Sequence, residues 1–270
     1  MNIKIDNISK VYDLPNGEKL SVLEEINLQI KAGEFVIILG ESGCGKSTLL
    51  NIIAGLLSSS SGEIRVDDEI VTTPHPSISL LFQQPSLLPW LNVEENIIFG
   101  CKIRGDTKNL KERSEHFINL LGLSSFEKCY PHELSVGMAY RVSLARALIG
   151  HPKILLLDEP FTSLDTFTKS HVQEELIRIW QDERFTAIFV THDIEEALLL
   201  GNKVIILGGR PCQIRDIINI NTPYPRDLAN VNFFQARADI LVGFRKNFSG
   251  NFIKSHPVAR KNRFLNNLEF

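Results

Sequence analysis

Residues 34–56, EFVIILGESGCGKSTLLNIIAGL, decide how the rest of the chain is read. An apolar, β-branched run ends at Gly40, a glycine-rich stretch follows, and then Leu49, Leu50, Ile52, Ile53 and Leu56 recur at helical spacing. Strand, tight loop and helix in that order is the context that gives G-x-x-x-x-G-K-[ST] its meaning, and residues 40–48, GESGCGKST, match that pattern. Gly40, Gly43 and Gly45 let the backbone fold closely, so that successive N–H groups from Ser42 and Cys44 through Thr48 face phosphate oxygens. The dipole of the following helix adds to that field. Lys46 is placed to reach β- and γ-phosphates, and the Ser47 hydroxyl to ligate Mg²⁺.

Outward from this loop, KILLLDEP (153–160), TAIFVTHD (186–193) and KVIILG (203–208) are short apolar runs like 34–40, each ending in a polar, acidic or glycine position. Such runs predict strands buried on both faces of a mostly parallel sheet. Helical patterns lie between them, at Leu110, Phe117, Leu120 and Leu121 closed by Gly122, and at Val172, Leu176, Ile177, Ile179 and Trp180. The expected fold is α/β: a P-loop NTPase core with a mostly parallel sheet. NISKVY and SVLEEINLQI, separated by the turn signal PNGE, predict antiparallel strands of an N-terminal β subdomain. Residues 88–150 predict a helical subdomain without strands. Asp158, at the end of ILLLD, delivers a carboxylate beside the phosphate loop, where it can hold the Mg²⁺ shell. Glu159 is placed to polarise an attacking water. Ser135 and Gly137, set just before an Ala-, Leu- and Arg-rich helical pattern, make its first turn a second anion site.

Composition removes other classes. A net charge of −3 gives no basic field for nucleic acid, although six Lys and Arg and no acid fall between Arg245 and Arg263. Cys44, Cys101, Cys129 and Cys212 form no C-x-x-C pair, so neither a zinc site nor a disulfide framework is expected and a reducing compartment fits. The opening MNIKIDNISKVYD lacks an apolar h-region, and no apolar run reaches membrane-spanning length. The expectation is a protein neither exported nor membrane-spanning.

These segments, in this order, resemble the ATP-binding subunit of an ABC transporter over about residues 1–230, leaving 231–270 as a C-terminal helix and basic tail. In that resemblance Tyr12 matches the aromatic that stacks on adenine, 40–48 the Walker A loop, Gln83 the Q-loop, LSVGM (134–138) the signature, ILLLDEP the Walker B strand, SLD (163–165) the D-loop and His192 the switch histidine. It implies an ATPase using ATP and Mg²⁺. Glu159, His192 and Gln83 would take part in hydrolysis, and Ser47, Gln83 and Asp158 would surround the metal. It also implies a head-to-tail homodimer in which Ser135 and Gly137 of one copy close on the γ-phosphate held by the other. Membrane permease subunits would be driven through the surface near Gln83, with a solute-binding protein upstream, at the cytoplasmic face of the inner membrane. FQQPSLLPWLNVEENIIFG (82–100) and PYPR (223–226) further resemble the importers of nitrate, sulfonates and taurine.

The chain departs from that pattern at Val136, where the family has a glycine, and at Ala139 and Tyr140, where it has a polar and basic pair. If the backbone at 136 demanded positive φ, a β-branched residue would be strained there by about 1–3 kcal/mol. A nucleotide-holding partner with weak turnover is therefore an alternative. A phosphotransferase would share the phosphate loop but not the signature, D-loop and histidine together. A DNA-repair ATPase would need a long heptad region between Lys46 and Asp158, and none is present.

Overall fold

In the computed structural model, which describes residues 1–227 and 232–252, the first thirty residues form a long hairpin. Strands β1 (Ile3–Asp13) and β2 (Lys19–Ile30) pair antiparallel, Ile3 opposite Ile30 and Tyr12 opposite Leu20. With β4 (Ser61–Val66) and β5 (Glu69–Ile70) they make a four-stranded sheet of order β2-β1-β4-β5. This is the expected N-terminal antiparallel sheet.

The second sheet comprises β3 (Phe35–Gly40), β6 (Ile78–Leu81), β7 (Ile154–Asp158), β8 (Thr186–Thr191), β9 (Lys203–Gly208) and β10 (Gln213–Asn219), in the order β10-β9-β3-β8-β7-β6. All neighbours run parallel except β9 and β10. The four apolar runs read from sequence are its four central strands, and their interiors are apolar because both faces are covered. Phe35, Ile37 and Leu39 enter one core with Leu155, Leu157 and Phe189, while Val36 and Ile38 enter the other with Ile154, Leu156 and Val190.

Helix α1 (Lys46–Ile53) follows β3, and it is shorter than its apolar pattern. Leu56 lies beyond its end and is exposed, because the chain turns at Gly55, φ +72°, where a Cβ would sit 2.3 Å from the Thr73 carbonyl oxygen. Between β6 and β7 lie only helices: α2 (Val93–Ile103), α3 (Leu110–Leu120), a 3₁₀ turn at Pro131–Glu133 and α4 (Val136–Leu148). The start of α2 is fixed by a capping box, Asn92 accepting from the Glu95 N–H and Glu95 from the Asn92 N–H. Helix α5 (Thr166–Glu183) starts at Asp165, whose carboxylate accepts from the Phe167 and Thr168 N–H groups. Helix α6 (Ile194–Leu200) is capped the same way by Asp193. Helix α7 (Asn232–Phe252) packs on α6, β9 and β10.

PYPR fastens the segment after β10 to the end of α6. The Tyr224 hydroxyl donates to the Leu200 carbonyl, and the Arg226 guanidinium donates to the carbonyls of Leu198, Gly201, Ile220 and Thr222 while lying 4.0 Å over the Tyr224 ring. The basic stretch 245–263 lies outside the residues whose side chains are described, and beyond Phe252 outside the described residues altogether. Among the described residues no helix is long and apolar enough to cross a membrane.

Candidate active site

The parallel register creates the site. Leu39 of β3 lies opposite Thr191 of β8, and Val190 lies opposite Asp158 of β7, so the segments leaving these three strands emerge side by side. Loops at the carboxyl ends of parallel strands are where such sheets bind ligands. The loop after β3 is built for close backbone approach. Gly43 and Gly45 have φ of +76° and +112°, and a Cβ on Gly45 would lie 2.9 Å from the Leu23 side chain and 3.0 Å from that of Val22. A Cβ on Gly40 would meet the Leu207 carbonyl oxygen at 2.9 Å. No side chain caps α1, leaving its first N–H groups for an anion.

Lys46 is buried at 3% exposure, and its ammonium donates to the Gly40 and Glu41 carbonyls, both at 2.9 Å. It also meets Glu159 Oε1 at 3.2 Å, while Glu159 Oε2 lies 3.0 Å from His192 Nδ1. Glu159 is held in the left-handed region, φ +44°, by its N–H to the Val190 carbonyl and by the Thr162 hydroxyl donating to its own carbonyl. Strain of this kind is tolerated where the surroundings over-determine it, and it clusters at functional sites. The Ser47 hydroxyl donates to Asp158 Oδ1 at 3.0 Å. Burial pushes the Asp158 carboxyl above its usual range, the Ser47 hydrogen bond opposes this and the Glu159 charge adds to it.

The fold therefore brings Lys46, Ser47, Asp158, Glu159 and His192 together. Ser47 and Asp158 supply hard oxygen donors of the kind that suit Mg²⁺, and the backbone cradle with Lys46 suits a polyphosphate. Exposed Ser42 and half-buried Thr48 flank the cradle. Gln83 stands two residues beyond Leu81, which lies opposite Leu157, so it emerges at the same sheet end, and among the described residues it makes no side-chain hydrogen bond. Tyr12, with the Lys10 ammonium 5.0 Å over its ring, pairs with Leu20, a short way along β2 from Val22 and Leu23 beside Gly45.

Ser135 and Gly137 lie elsewhere. Helix α4 packs on α2, α3, α5 and β6, whereas α1 packs on β3, β7 and β8. Ser135 caps α4 by accepting from the Met138 N–H. Val136 is the first residue of that helix with ordinary right-handed backbone, and its side chain is 53% exposed, so the position does not demand positive φ and the strain alternative fails. Gly137 is the constrained position, since a Cβ there would lie 2.6 Å from Thr168 Cγ2 on α5.

Sequence reading did not join Cys44 to Cys212. The fold sets the two thiols against each other, and the Cys212 contact, opposed by burial and helped by Lys46, holds the Cys44 thiol below its usual range. Spacing gave no signal, because the two stand 168 positions apart. Lys169 of α5, whose ammonium lies 2.7 Å from Asp193 and 2.8 Å from Glu196 after β8, was likewise invisible in sequence.

Converging strand ends, a glycine cradle and a buried lysine define the class, a P-loop nucleotide-binding ATPase. Comparison with known proteins narrows it. The ABC transporter family model matches residues 23–162. The chain is 44% identical over 246 residues to the aliphatic sulfonates import ATP-binding protein SsuB of Bacillus cereus, covering 91% of this chain and 97% of that protein. It is also 44% identical to SsuB of Bacillus anthracis, over 90% of this chain and 96% of that one. Among solved structures, the dimeric post-hydrolysis state of the ATP-binding cassette MJ0796 bound to ADP and Pi superposes with a TM-score of 0.72 at 30% identity, covering 82% of this chain and all of that one. The chain belongs to the ABC transporter family, as an ATP-binding cassette that hydrolyses ATP.

Proposed function

We propose that this cassette powers the import of a small sulfonate-like solute, working as a pair of copies under separate membrane permease subunits at the cytoplasmic face. The observation that carries the ATPase part is the chain of contacts Lys46–Glu159–His192 beside the glycine cradle. Lys46 exchanges its loop carbonyls for the β- and γ-phosphates, Glu159 accepts the proton of the attacking water, and His192 holds Glu159 in place. Ser47, Asp158 and Gln83 would hold Mg²⁺, which would neutralise charge developing on the phosphates. Tyr12 stacks on the adenine.

The pairing rests on two observations. Ser135 and Gly137 stand at the start of α4, which packs chiefly on α2, α3, α5 and β6, and the MJ0796 cassette is dimeric. In a pair, the capped start of α4 in one copy supplies the wall that the other copy's cradle lacks. Residues 1–230 form the cassette, with 88–150 as its helical subdomain. The sulfonate assignment rests on the SsuB relatives; the solute itself is taken up by a solute-binding protein and meets no residue of this chain. The alternative of a partner with weak turnover no longer draws on backbone strain, because Val136 is helical, and rests on crowding by its branched side chain alone. The test is transport by the complex reconstituted with its permeases and binding protein. ATP-driven accumulation of an alkanesulfonate supports the reading, and accumulation of a different solute class alone would discard its sulfonate part.

A further inference from the structure

Three acidic groups cluster around the turn that carries His192. Glu159 receives Lys46 and His192, whereas Asp193 and Glu196 lie on the other side. The Thr191 hydroxyl donates to Glu196 and accepts from the Asp193 N–H at 3.0 Å, and Asp193 caps α6 by accepting from the Glu195 N–H at 2.8 Å. His192 is thus the exposed middle of a turn whose two flanking residues are tied to the first turn of α6. Glu196 is only 5% exposed, and a buried carboxylate beside a second one is costly unless a cation joins them. Lys169 of α5 is that cation, its ammonium 2.7 Å from Asp193 and 2.8 Å from Glu196.

Lys169 lies one helical turn from Asp165, the last residue of SLD and the cap of α5, and its N–H donates to the Asp165 carbonyl at 2.8 Å. The lysine therefore fixes the His192 turn to the segment that starts at SLD. A cavity of about 240 Å³ lies between the two, lined by Leu164, Thr166, Lys169 and His192 among others.

We infer that Lys169 is a positioning residue for hydrolysis: by bridging Asp193 and Glu196 to α5, it sets where His192 meets Glu159 and makes that placement follow the SLD segment. This deepens the proposed function and rests on its role for His192. A lysine that merely fastened two helices would matter equally with or without the histidine.

The experiment is a double-mutant cycle on ATP turnover by the full chain assembled with its permeases, comparing wild type, Lys169→Met, His192→Ala and the pair, with ATP affinity measured separately. Lys169→Met should lower kcat about ten- to a hundredfold, the scale of a small misplacement of a catalytic group, with ATP affinity unchanged. Lys169→Arg should restore most of the rate, because a guanidinium can also bridge two carboxylates. In the His192→Ala background, Lys169→Met should cost nothing further. Multiplying losses, or normal turnover in Lys169→Met while His192→Ala is impaired, would overturn the inference and leave the function standing. Normal turnover in His192→Ala would remove the role of the histidine and this inference with it. If Lys169→Met does not fold, Thr191→Val, which removes the hydroxyl joining Glu196 to the turn, enters the same cycle with the same expectation.

Discussion

Asp158 is the residue whose chemistry is most at odds with its surroundings. Burial raises its pKa, so the fold favours its protonated form more than the unfolded chain does. Stability from this group is full below the unfolded pKa and is lost as pH rises through the raised folded pKa. At neutral pH the ionised carboxylate therefore strains the fold, and Asp158→Asn should raise Tm while weakening Mg²⁺ binding. Mg²⁺ binding by the wild type should also release protons as pH falls toward the raised carboxylate range, which calorimetry in buffers of differing ionisation enthalpy will read. A lower Tm for the asparagine variant would contradict this. Val136 is a second case. Since its backbone is already helical, Val136→Gly brings no relief of strain and adds glycine's entropy cost of roughly 0.5–1 kcal/mol. If the branched side chain crowds the partner's phosphate, Val136→Ala should raise ATP-driven dimerisation at least as much as Val136→Gly. ATP titrations of the two variants and wild type decide this, and a benefit confined to glycine would revive the strain account.

Elements differed in how legible they were. The four central strands could be read because burial on both faces keeps their interiors apolar and confines polar residues to their ends, as at Asp158, Thr186, Thr191 and Lys203. Strand β10 shows alternating, half-exposed positions at an edge, and β6 has only four residues, so neither stands out from loop. The phosphate loop, Asp158, Glu159 and His192 were legible because each ends such a strand. The tie from Lys169 was not, since it depends on α5 and α6 meeting in space. Gly137 looked like an anion-binding glycine, yet the structure gives it a packing reason as well. Gly137→Ala would drive a methyl into Thr168 and push α4 from α5, which should cost about 1–3 kcal/mol of stability by overpacking. Thr168→Ser removes the opposing methyl and should recover most of that loss in thermal melts. Failure of the serine to rescue would place the demand for glycine elsewhere.

At the scale of the whole molecule, one chain offers one cradle and one capped α4 turn, on layers that pack against different elements. Hydrolysis on the proposed reading needs two copies, so turnover should depend on protein concentration. Glu159→Gln should lower turnover by roughly 10²- to 10⁴-fold, the scale of general-base catalysis, and should leave an ATP-bound dimer visible by light scattering. Normal turnover in that variant would end the role of Glu159. The ion pair between Glu159 and Lys46 carries this further. At rest the lysine is already spoken for by a carboxylate and two loop carbonyls, so an arriving nucleotide must compete for it. Once phosphate claims the ammonium, the carboxylate is released from its ion pair at the moment a substrate is present. On the proposed role of Glu159 the pair acts as an interlock, tying up the base until phosphate displaces it from the ammonium. It follows that the glutamine variant, freed of that competition, should bind ATP more tightly than the wild type while failing to spend it.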